Sequence, residues 1–504
     1  MPNSTPDGVA GRGRGALSVP SRQRLIEGAV NNNLLVFLIL FLATFLLVIG
    51  RALLGVDSWL TLMAGREISQ HGLPHHETLT TIPFGRTWID QQWLAQLVFY
   101  GLNRVGGLGL AVVFHSLMVT SAFAITVITS RVRGASSRMT LVAAVICLLV
   151  APWSWQLRAQ SIALPLFALT LALMATDTRL TARRTYLVFP TLIVWANVHG
   201  SVVLGAVLVS FAAVLRLPEI LRRSGAITTP WRLALFLVAP WACVLVSPYG
   251  TGLVGYYRLI LINSPVSKLI TEWQAPAPHG YFLIFFAVAA ATVVIAIWQR
   301  RRLSLYDLGV LAFTLAGACR SVRAVVWFAM AMAMLLPVAL DGVVRPSPSP
   351  PVHRRLAHVL AGALSAILAA TTIFMLTRSD SWYEHGWPLR GARAAARAAQ
   401  ASDVKAAVLS SDTFADWLLW KEPSLRGRVA SDVRFELLTE TEIRSIVLFK
   451  SHKRGWRGNA GSYPVLVLDR RETQAQVREL RSEPGTEVLF ADKTVIVLLR
   501  NPPR

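Results

Sequence analysis

The sequence has few charged residues and almost no cysteine. Charged residues make up 15% of the 504 positions, whereas soluble domains carry about a quarter. This shortage argues against an ordinary soluble protein. The cysteines lie in or at the ends of apolar blocks, so we expect buried apolar side chains and neither a disulfide framework nor a zinc site. They are Cys147, Cys243 and Cys319.

Hydrophobic residues are abundant instead, at 54% of the chain. They gather in blocks long enough to cross a hydrocarbon core of roughly 30 Å as helices. The first block is too long for a signal peptide and has no small-residue cleavage site after it. The sequence therefore predicts a mainly α, polytopic bundle of about eleven transmembrane helices. They are expected at 34–54, 107–130, 139–152, 160–176, 185–198, 200–216, 232–247, 281–298, 306–319, 323–340 and 356–376.

The net charge of +23 reflects orientation in the membrane. The arginines lie between apolar blocks and not on one face of a folded domain, which excludes nucleic acid as a partner. They concentrate in alternate loops, such as 131–138, 179–184 and 300–302. By the positive-inside rule these loops and the N-terminus are cytoplasmic. An odd number of spans then places everything after about residue 377 outside the plasma membrane.

Three regions are predicted along the chain. Residues 1–30 are rich in Gly, Arg, Ser and Pro and are expected to be disordered. Residues 31–376 form the transmembrane domain, with a first outer loop at 55–106. Residues 377–504 are expected to form a small extracytoplasmic α/β domain with a partly parallel sheet. Strands are predicted at 406–410, 427–430 and 465–469, and a strand pair at 487–499 that turns at 492–493. This region has no glycine-rich phosphate loop and no serine nucleophile elbow, which favours a structural or lid role.

The first outer loop is the most unusual segment. Asp57 follows the first span directly, at the membrane–water boundary, where a carboxylate suits a general base or a helix cap. The amphipathic stretches Trp59–Gln70 and Gln91–Asn103 are typical of helices lying in the interface. The polar residues between them are weak metal candidates, since adjacent histidines in a polar loop are usually solvated. They are His75, His76 and Glu77.

The loop resembles the first outer loop of C-type glycosyltransferases. The matching positions are Asp57, Trp59, Leu62, Gly65, Ile68, Gly72, Pro74, Gly85, Trp88, Trp93 and Leu94. The chain is similar to the bacterial branch related to the membrane mannosyl-, arabinosyl- and aminoarabinosyl-transferases. The resemblance implies a many-span fold with an outer soluble domain. It also implies that Asp57 is catalytic and activates an acceptor hydroxyl. That hydroxyl would attack a sugar carried on a polyprenyl phosphate, with inversion.

One departure concerns the second acid. Many members of that superfamily have an acidic residue in the second outer loop, but residues 153–160 contain no carboxylate. Asp90 or Glu272 are candidates to replace it from other loops. A divalent metal stays possible but without support, and no cofactor is predicted.

Basic residues on the outer side run against the orientation rule and therefore need a reason. Guanidinium groups match phosphate geometry, so we expect some of them to bind the donor phosphate. The candidates are Arg158, Arg320, Arg323 and Lys268. The alternative is pairing with lipid headgroups or nearby carboxylates. Further polar candidates for the pocket are Gln160, Asn197, His199, Tyr249 and Trp273.

Two other functions remain open. A transporter or flippase for a lipid-linked substrate would place polar groups near the bilayer midplane, often in repeated halves. Here the span interiors are nearly free of ionisable residues and no internal repeat is evident, which favours the enzyme. A non-catalytic scaffold that presents the outer domain is the third possibility. The sugar and the acceptor stay open.

Overall fold

The computed structural model describes residues 37–50, 54–218, 229–261, 269–344, 354–402, 404–405, 407–461 and 463–500. The N-terminal tail predicted to be disordered lies outside the described residues. In the first part of the chain the helices are α1 (Phe37–Gly50), α2 (Val56–His71), α3 (Trp93–Val132), α4 (Ser137–Val150), α5 (Gln160–Thr176), α6 (Val188–Val198), α7 (Val202–Val214), α8 (Pro230–Val244), α9 (Gly252–Leu261), α10 (Phe282–Trp298), α11 (Leu305–Arg320), α12 (Val325–Leu335), α13 (Pro337–Val343) and α14 (Arg354–Leu376).

Each predicted span overlaps one helix or, at 323–340, two helices, and the helices differ in length. Among the described residues, two helices are long and apolar enough to cross a membrane, Trp93–Val132 and Arg355–Leu376. The segment predicted as one span at 323–340 is two helices, α12 and α13, bent by 57°. Pro337 begins the second of these helices, because proline suits a first helical turn but not a helix interior. The bent pair would make a third span. The count of eleven stays a prediction.

Helices occur at both stretches that were predicted to form interfacial helices of the first outer loop. The first is α2, and the second forms the start of α3, before a break at Gly106 and Gly107. Gly107 has a φ of 64°, a left-handed conformation that favours glycine. The Leu108 N–H just after the break donates to Asp380 Oδ1 at 2.8 Å. The predicted interface helix and the predicted span are therefore one kinked element.

A buried central helix organises the membrane part. All 11 residues of α12, VVWFAMAMAML, are buried, as expected for a helix that is apolar on every side. It packs against α3, α4, α5 and α11. Two of the three cysteines agree with the prediction of burial, but Cys319 is exposed near the end of α11, so that prediction is wrong for it.

The C-terminal region forms the predicted small α/β domain. Its longer helices are α15 (Leu389–Gln400), α16 (Asp412–Lys421), α17 (Glu440–Lys450) and α18 (Gln474–Arg481), and its strands are β1 (Val408–Ser410), β2 (Val465–Asp469), β3 (Thr486–Ala491) and β4 (Val495–Arg500). The strand order is β1-β2-β4-β3. β1 and β2 are parallel and the other pairs antiparallel, so the sheet is partly parallel as predicted.

The strand predicted at 427–430 is wrong as a regular strand, and this segment instead joins the domain to the first outer loop. Only Val429 forms bridges there, to Val408 of β1 and to Thr80 of the loop. The loop N–H groups of Thr81 and Ile82 donate to the Val429 and Ala430 carbonyls, both at 2.9 Å. The outer loop thus extends the edge of the sheet beyond β1, and the two regions share one apolar core.

Candidate functional site

Asp57 and Arg158 meet at the start of α2. Asp57 lies in the first turn of this helix, and its Oδ2 is 3.4 Å from Arg158 Nη1. The Asp57 side chain is 39% exposed, whereas that of Arg158 is 7% exposed. The carboxylate therefore faces open space while the guanidinium beside it is buried. The structure brings together two candidates that lie 101 residues apart in the chain.

Short hydrogen bonds hold these two loops against each other. Ser58 Oγ donates to the Leu157 carbonyl at 2.6 Å and accepts from the Gly55 N–H at 3.0 Å. The Arg158 N–H contacts Ser161 Oγ at 3.3 Å. That hydroxyl lies 2.7 Å from His115 Nδ1. The buried His115 thus joins α3 to the start of α5 and, through the Trp155 carbonyl, to the turn before it. The pairing of Asp57 with Arg158 rests on this buried framework.

A second pair of outer loops brings Arg323, Glu272 and Trp273 together. The Val322 N–H donates to the Gln274 carbonyl at 3.0 Å, which joins the two turns. The Arg323 guanidinium lies 4.9 Å above the Trp273 ring, and its Nε is 3.8 Å from Glu272 Oε2. Glu272, a candidate second acid, is thus an exposed partner of this arginine.

His199 lies near enough to both arginines for their charges to act on it. It ends α6 at a turn outside the helices. Burial, followed by the positive charges of Arg323 and Arg158, lowers the pKa of His199 to about 3. The imidazole is therefore neutral at physiological pH. Side chains from three separate outer turns thus act on one another in this region.

The other pocket candidates have more varied positions. Asn197 accepts from Trp93 Nε1 at 2.9 Å and donates to the Ile193 and Val246 carbonyls at 2.8 Å. Its amide is therefore fully used in joining α3, α6 and the end of α8.

Of the remaining candidates, Tyr249 donates its hydroxyl to the Pro74 carbonyl at 2.9 Å, inside the first outer loop. Gln160 is buried beside Arg158 in the chain, and its Oε1 has no hydrogen-bond partner within the described residues. Arg320 is exposed in the last turn of α11. Lys268 lies outside the described residues.

The weak metal candidates have other contacts. Glu77 is fully buried and pairs with Arg434 of the C-terminal domain. Its Oε1 accepts from the N–H groups of Leu79 and Thr80 at 2.6 and 2.7 Å. His75 packs edge-on against the Tyr249 ring, and His76 forms a bridge with Thr87. Within the described ranges, no group of three metal-ligating side chains occurs.

Sequence reasoning missed the buried charges that join the outer loop to the C-terminal domain. Arg434 is 3% exposed. It pairs with Glu77 and Asp432 and lies 4.2 Å above the Trp88 ring. The buried Asp416 and the half-buried Glu436 also lie close enough to interact with it. The available signal was the run VASDVRFELL, where charges interrupt apolar residues.

Asp90, the other candidate second acid, belongs to this junction. It is 4% exposed, and its Oδ1 accepts from Gln96 Nε2 at 3.0 Å. Burial raises the pKa of Asp90 to about 7, against the influence of Arg434. Burial also raises the pKa of Asp416 well above its usual range, with Asp432 and Asp57 among the charges that contribute. Asp416 is thus a buried acid that interacts with Asp57.

Comparison with known proteins finds similarity in structure but not in sequence. No protein-family model matches the sequence, and no curated protein is significantly similar to it. Among solved structures, the archaeal oligosaccharyltransferase AglB from Archaeoglobus fulgidus, in complex with an inhibitory peptide and a dolichol-phosphate, matches with a TM-score of 0.50. It is 11% identical, and the match covers 92% of this chain and 71% of AglB. At this identity the match shows that the two chains share a fold.

A second similar structure is that of ArnT from Cupriavidus metallidurans bound to undecaprenyl phosphate. It has a TM-score of 0.45 and 16% identity, over 96% of this chain and 100% of ArnT. At these identities the likeness concerns the fold, and the assignment of the fold rests on AglB.

Proposed function

We propose that this protein is a membrane glycosyltransferase that moves a sugar from a polyprenyl phosphate to an acceptor hydroxyl at the outer face of the plasma membrane. The observation that carries the proposal is the half-exposed Asp57 carboxylate 3.4 Å from the buried Arg158 guanidinium. A base open to an acceptor and a cation suited to a phosphate are the two groups that this transfer needs.

The pairing suggests how the donor would engage the site. Arg158 is buried and needs a counter-charge, which Asp57 supplies. A donor phosphate would take over this role, with Arg323 as a second cation. Asp57 would then be free to accept a proton from the acceptor. Donor binding and activation of the base are coupled in this scheme.

The chemical step is a single displacement at the anomeric carbon. The acceptor oxygen forms a bond to that carbon as the bond from the carbon to the phosphate oxygen breaks. The acceptor proton passes to Asp57, and the polyprenyl phosphate leaves as an anion beside the arginines. Because no enzyme nucleophile takes part, the configuration of the sugar inverts.

The fold supports the donor class. AglB shares the fold, and its structure holds a dolichol-phosphate, a lipid phosphate of the polyprenyl type. Such a donor keeps its chain in the bilayer and its phosphate at the interface, where Asp57 is expected. We further propose eleven spans, a cytoplasmic N-terminus and an extracytoplasmic C-terminal domain. The first outer loop would belong to that domain as one folded unit.

The test is Asp57→Asn in the full chain, reconstituted in lipid nanodiscs. A panel of polyprenyl-phosphate hexoses and pentoses is supplied with an envelope extract, and release of polyprenyl phosphate is measured. A general base contributes about 10²- to 10⁴-fold, so the variant should lose at least that lower factor. Binding of undecaprenyl phosphate should change by less than about tenfold, because Arg158 and Arg323 are retained.

The matched control is Glu440→Gln, which neutralises a carboxylate that is 47% exposed and lies on α17. It should transfer sugar as the wild type does. Equal activity of the Asp57→Asn variant and the wild type would exclude Asp57 as the base. Wild-type protein that moves the lipid across the bilayer without releasing sugar would favour the flippase.

A further inference from the structure

We propose that His199 is a neutral hydrogen-bond donor of this site, and that its Nε2–H binds a phosphate oxygen of the lipid donor. The inference rests on the proposed function. The ring of His199 contacts Ser201 in the turn between α6 and α7. The ring nitrogen that carries the proton decides what the ring can offer a ligand.

The contacts of Nδ1 decide the tautomer. The Ser201 backbone N–H donates to His199 Nδ1 at 3.1 Å. A backbone N–H is always a donor, so Nδ1 must be the unprotonated nitrogen. The Ser201 hydroxyl lies 2.7 Å from the same atom and itself accepts from Trp195 Nε1 at 3.0 Å. The neutral ring therefore carries its proton on Nε2.

The backbone of His199 is also engaged. Its N–H donates to the Trp195 carbonyl at 3.0 Å, and its carbonyl accepts from the Val202 N–H at 3.3 Å. Across the described part of the chain, no hydrogen bond engages Nε2. The backbone N–H, the carbonyl and Nδ1 of His199 are thus all engaged within the turn. Nε2–H is the remaining polar group of the residue, and it can donate to a ligand.

The surroundings indicate what Nε2–H would bind. Arg158 and Arg323 both act electrostatically on His199. A phosphate bound by these guanidinium groups would be well served by a third, neutral donor, because a third cation would be repelled by the other two. The flanking Tyr257 ring would lie 3.6 Å from a side chain at Gly200. Its hydroxyl has no partner among the described residues.

This arrangement predicts binding that does not depend on the charge of the histidine. A histidine that binds phosphate as an imidazolium loses affinity as the pH rises through its pKa, near 6.5 in the free side chain. Here the ring is neutral on both sides of that value. Binding of a lipid phosphate should therefore be flat between about pH 6 and 8, apart from the titration of the phosphate itself.

The test uses two amide variants of the full chain in nanodiscs, His199→Gln and His199→Asn. The glutamine amide nitrogen can reach the position of Nε2, whereas the asparagine amide is shorter and reaches only that of Nδ1. The probe is undecaprenyl phosphate, with inorganic phosphate and phosphatidic acid as separate ligands. We expect His199→Asn to weaken undecaprenyl phosphate binding about tenfold, and His199→Gln at most about threefold.

The outcomes separate this inference from the proposed function. If the wild type does not bind undecaprenyl phosphate, the proposed function fails. If the wild type binds and both variants bind equally well, only the role of His199 is wrong. Tighter wild-type binding at pH 6 than at pH 8, absent from both variants, would mean that the imidazolium is the ligand and would overturn the inference. Equal responses to inorganic phosphate or phosphatidic acid would overturn the assignment to the lipid donor.

Discussion

Replacing Arg434 with methionine should loosen the junction between the first outer loop and the C-terminal domain. The side chain is 2% exposed and pairs with Glu77 and Asp432, themselves 0% and 3% exposed. Methionine keeps the length and removes the charge, so both carboxylates lose their shared cation. Removing one partner of a buried ion pair costs about 3–5 kcal/mol. We expect the Arg434→Met variant to lose free energy of unfolding in that range.

The assay is urea unfolding of the full chain in detergent, followed by tryptophan fluorescence. Trp88, one of 16 tryptophans, lies directly under the Arg434 guanidinium, so a spectral difference between the variant and the wild type includes a contribution from the junction. The control is Arg444→Met, the same substitution in a pair that is 60% and 47% exposed. An exposed helix pair of this kind contributes about 0.3–0.5 kcal/mol. The contrast between the two variants isolates burial as the cause.

A double variant tests whether the charges act as a unit. Glu77→Gln keeps an oxygen that can accept from Leu79 and Thr80 but removes the negative charge facing Arg434. The Arg434→Met and Glu77→Gln pair should be less destabilised than the sum of the single variants, by about 1 kcal/mol or more. Simple additivity, or an Arg434→Met loss as small as that of Arg444→Met, would refute the reasoning.

Two further predictions concern Asp90 and the glycines of the outer loop. Folded Asp90 keeps its proton up to a pKa of about 7, whereas unfolded Asp90 releases it near 4. Unfolding therefore becomes easier as the pH rises between these values. The Asp90→Asn variant should not lose stability in this pH range. Its free energy of unfolding should match that of the wild type near pH 4 and exceed it at pH 8 by up to about 4 kcal/mol. An unchanged pH dependence of unfolding would contradict this. Gly65→Ala would place its Cβ 2.2 Å from the Gln96 carbonyl oxygen and should cost about 1–3 kcal/mol. The control Gly101→Ala has no atom within 4 Å and should stabilise the helix by up to about 1 kcal/mol. Equal melting temperatures for the two glycine variants would contradict the close approach.

Local sequence patterns predicted most helices and strands well. The bounds predicted for α5, 160–176, and for β2, 465–469, are those observed. In both cases an apolar run is bounded by polar or turn-forming residues, so the signal is contained in the segment itself. The prediction was poorer where a neighbour decides the outcome. The start of α3 joins the following span through a break that Asp380, 273 residues after Gly107, helps to hold.

The candidate site was predictable in part for the same reason. A carboxylate after the first span and arginines in outer loops are visible as exceptions to membrane rules. Which of them meet is not visible, because Asp57 and Arg158 are joined through hydrogen bonds between separate loops. The buried acids around Arg434 were missed, since charged residues in a soluble domain are expected at its surface.

The sequence by itself determined the helical membrane architecture, the location of the outer loop and the α/β character of the C-terminal region. These follow from hydrophobicity and periodicity, which act over one helix or strand. Only the tertiary structure decided that the loop extends the sheet edge, that Glu77 pairs with Arg434 and that His199 lies near two arginines. Such contacts depend on packing between segments far apart in the chain, and burial of a charge has a defined cost only once its partner is in place.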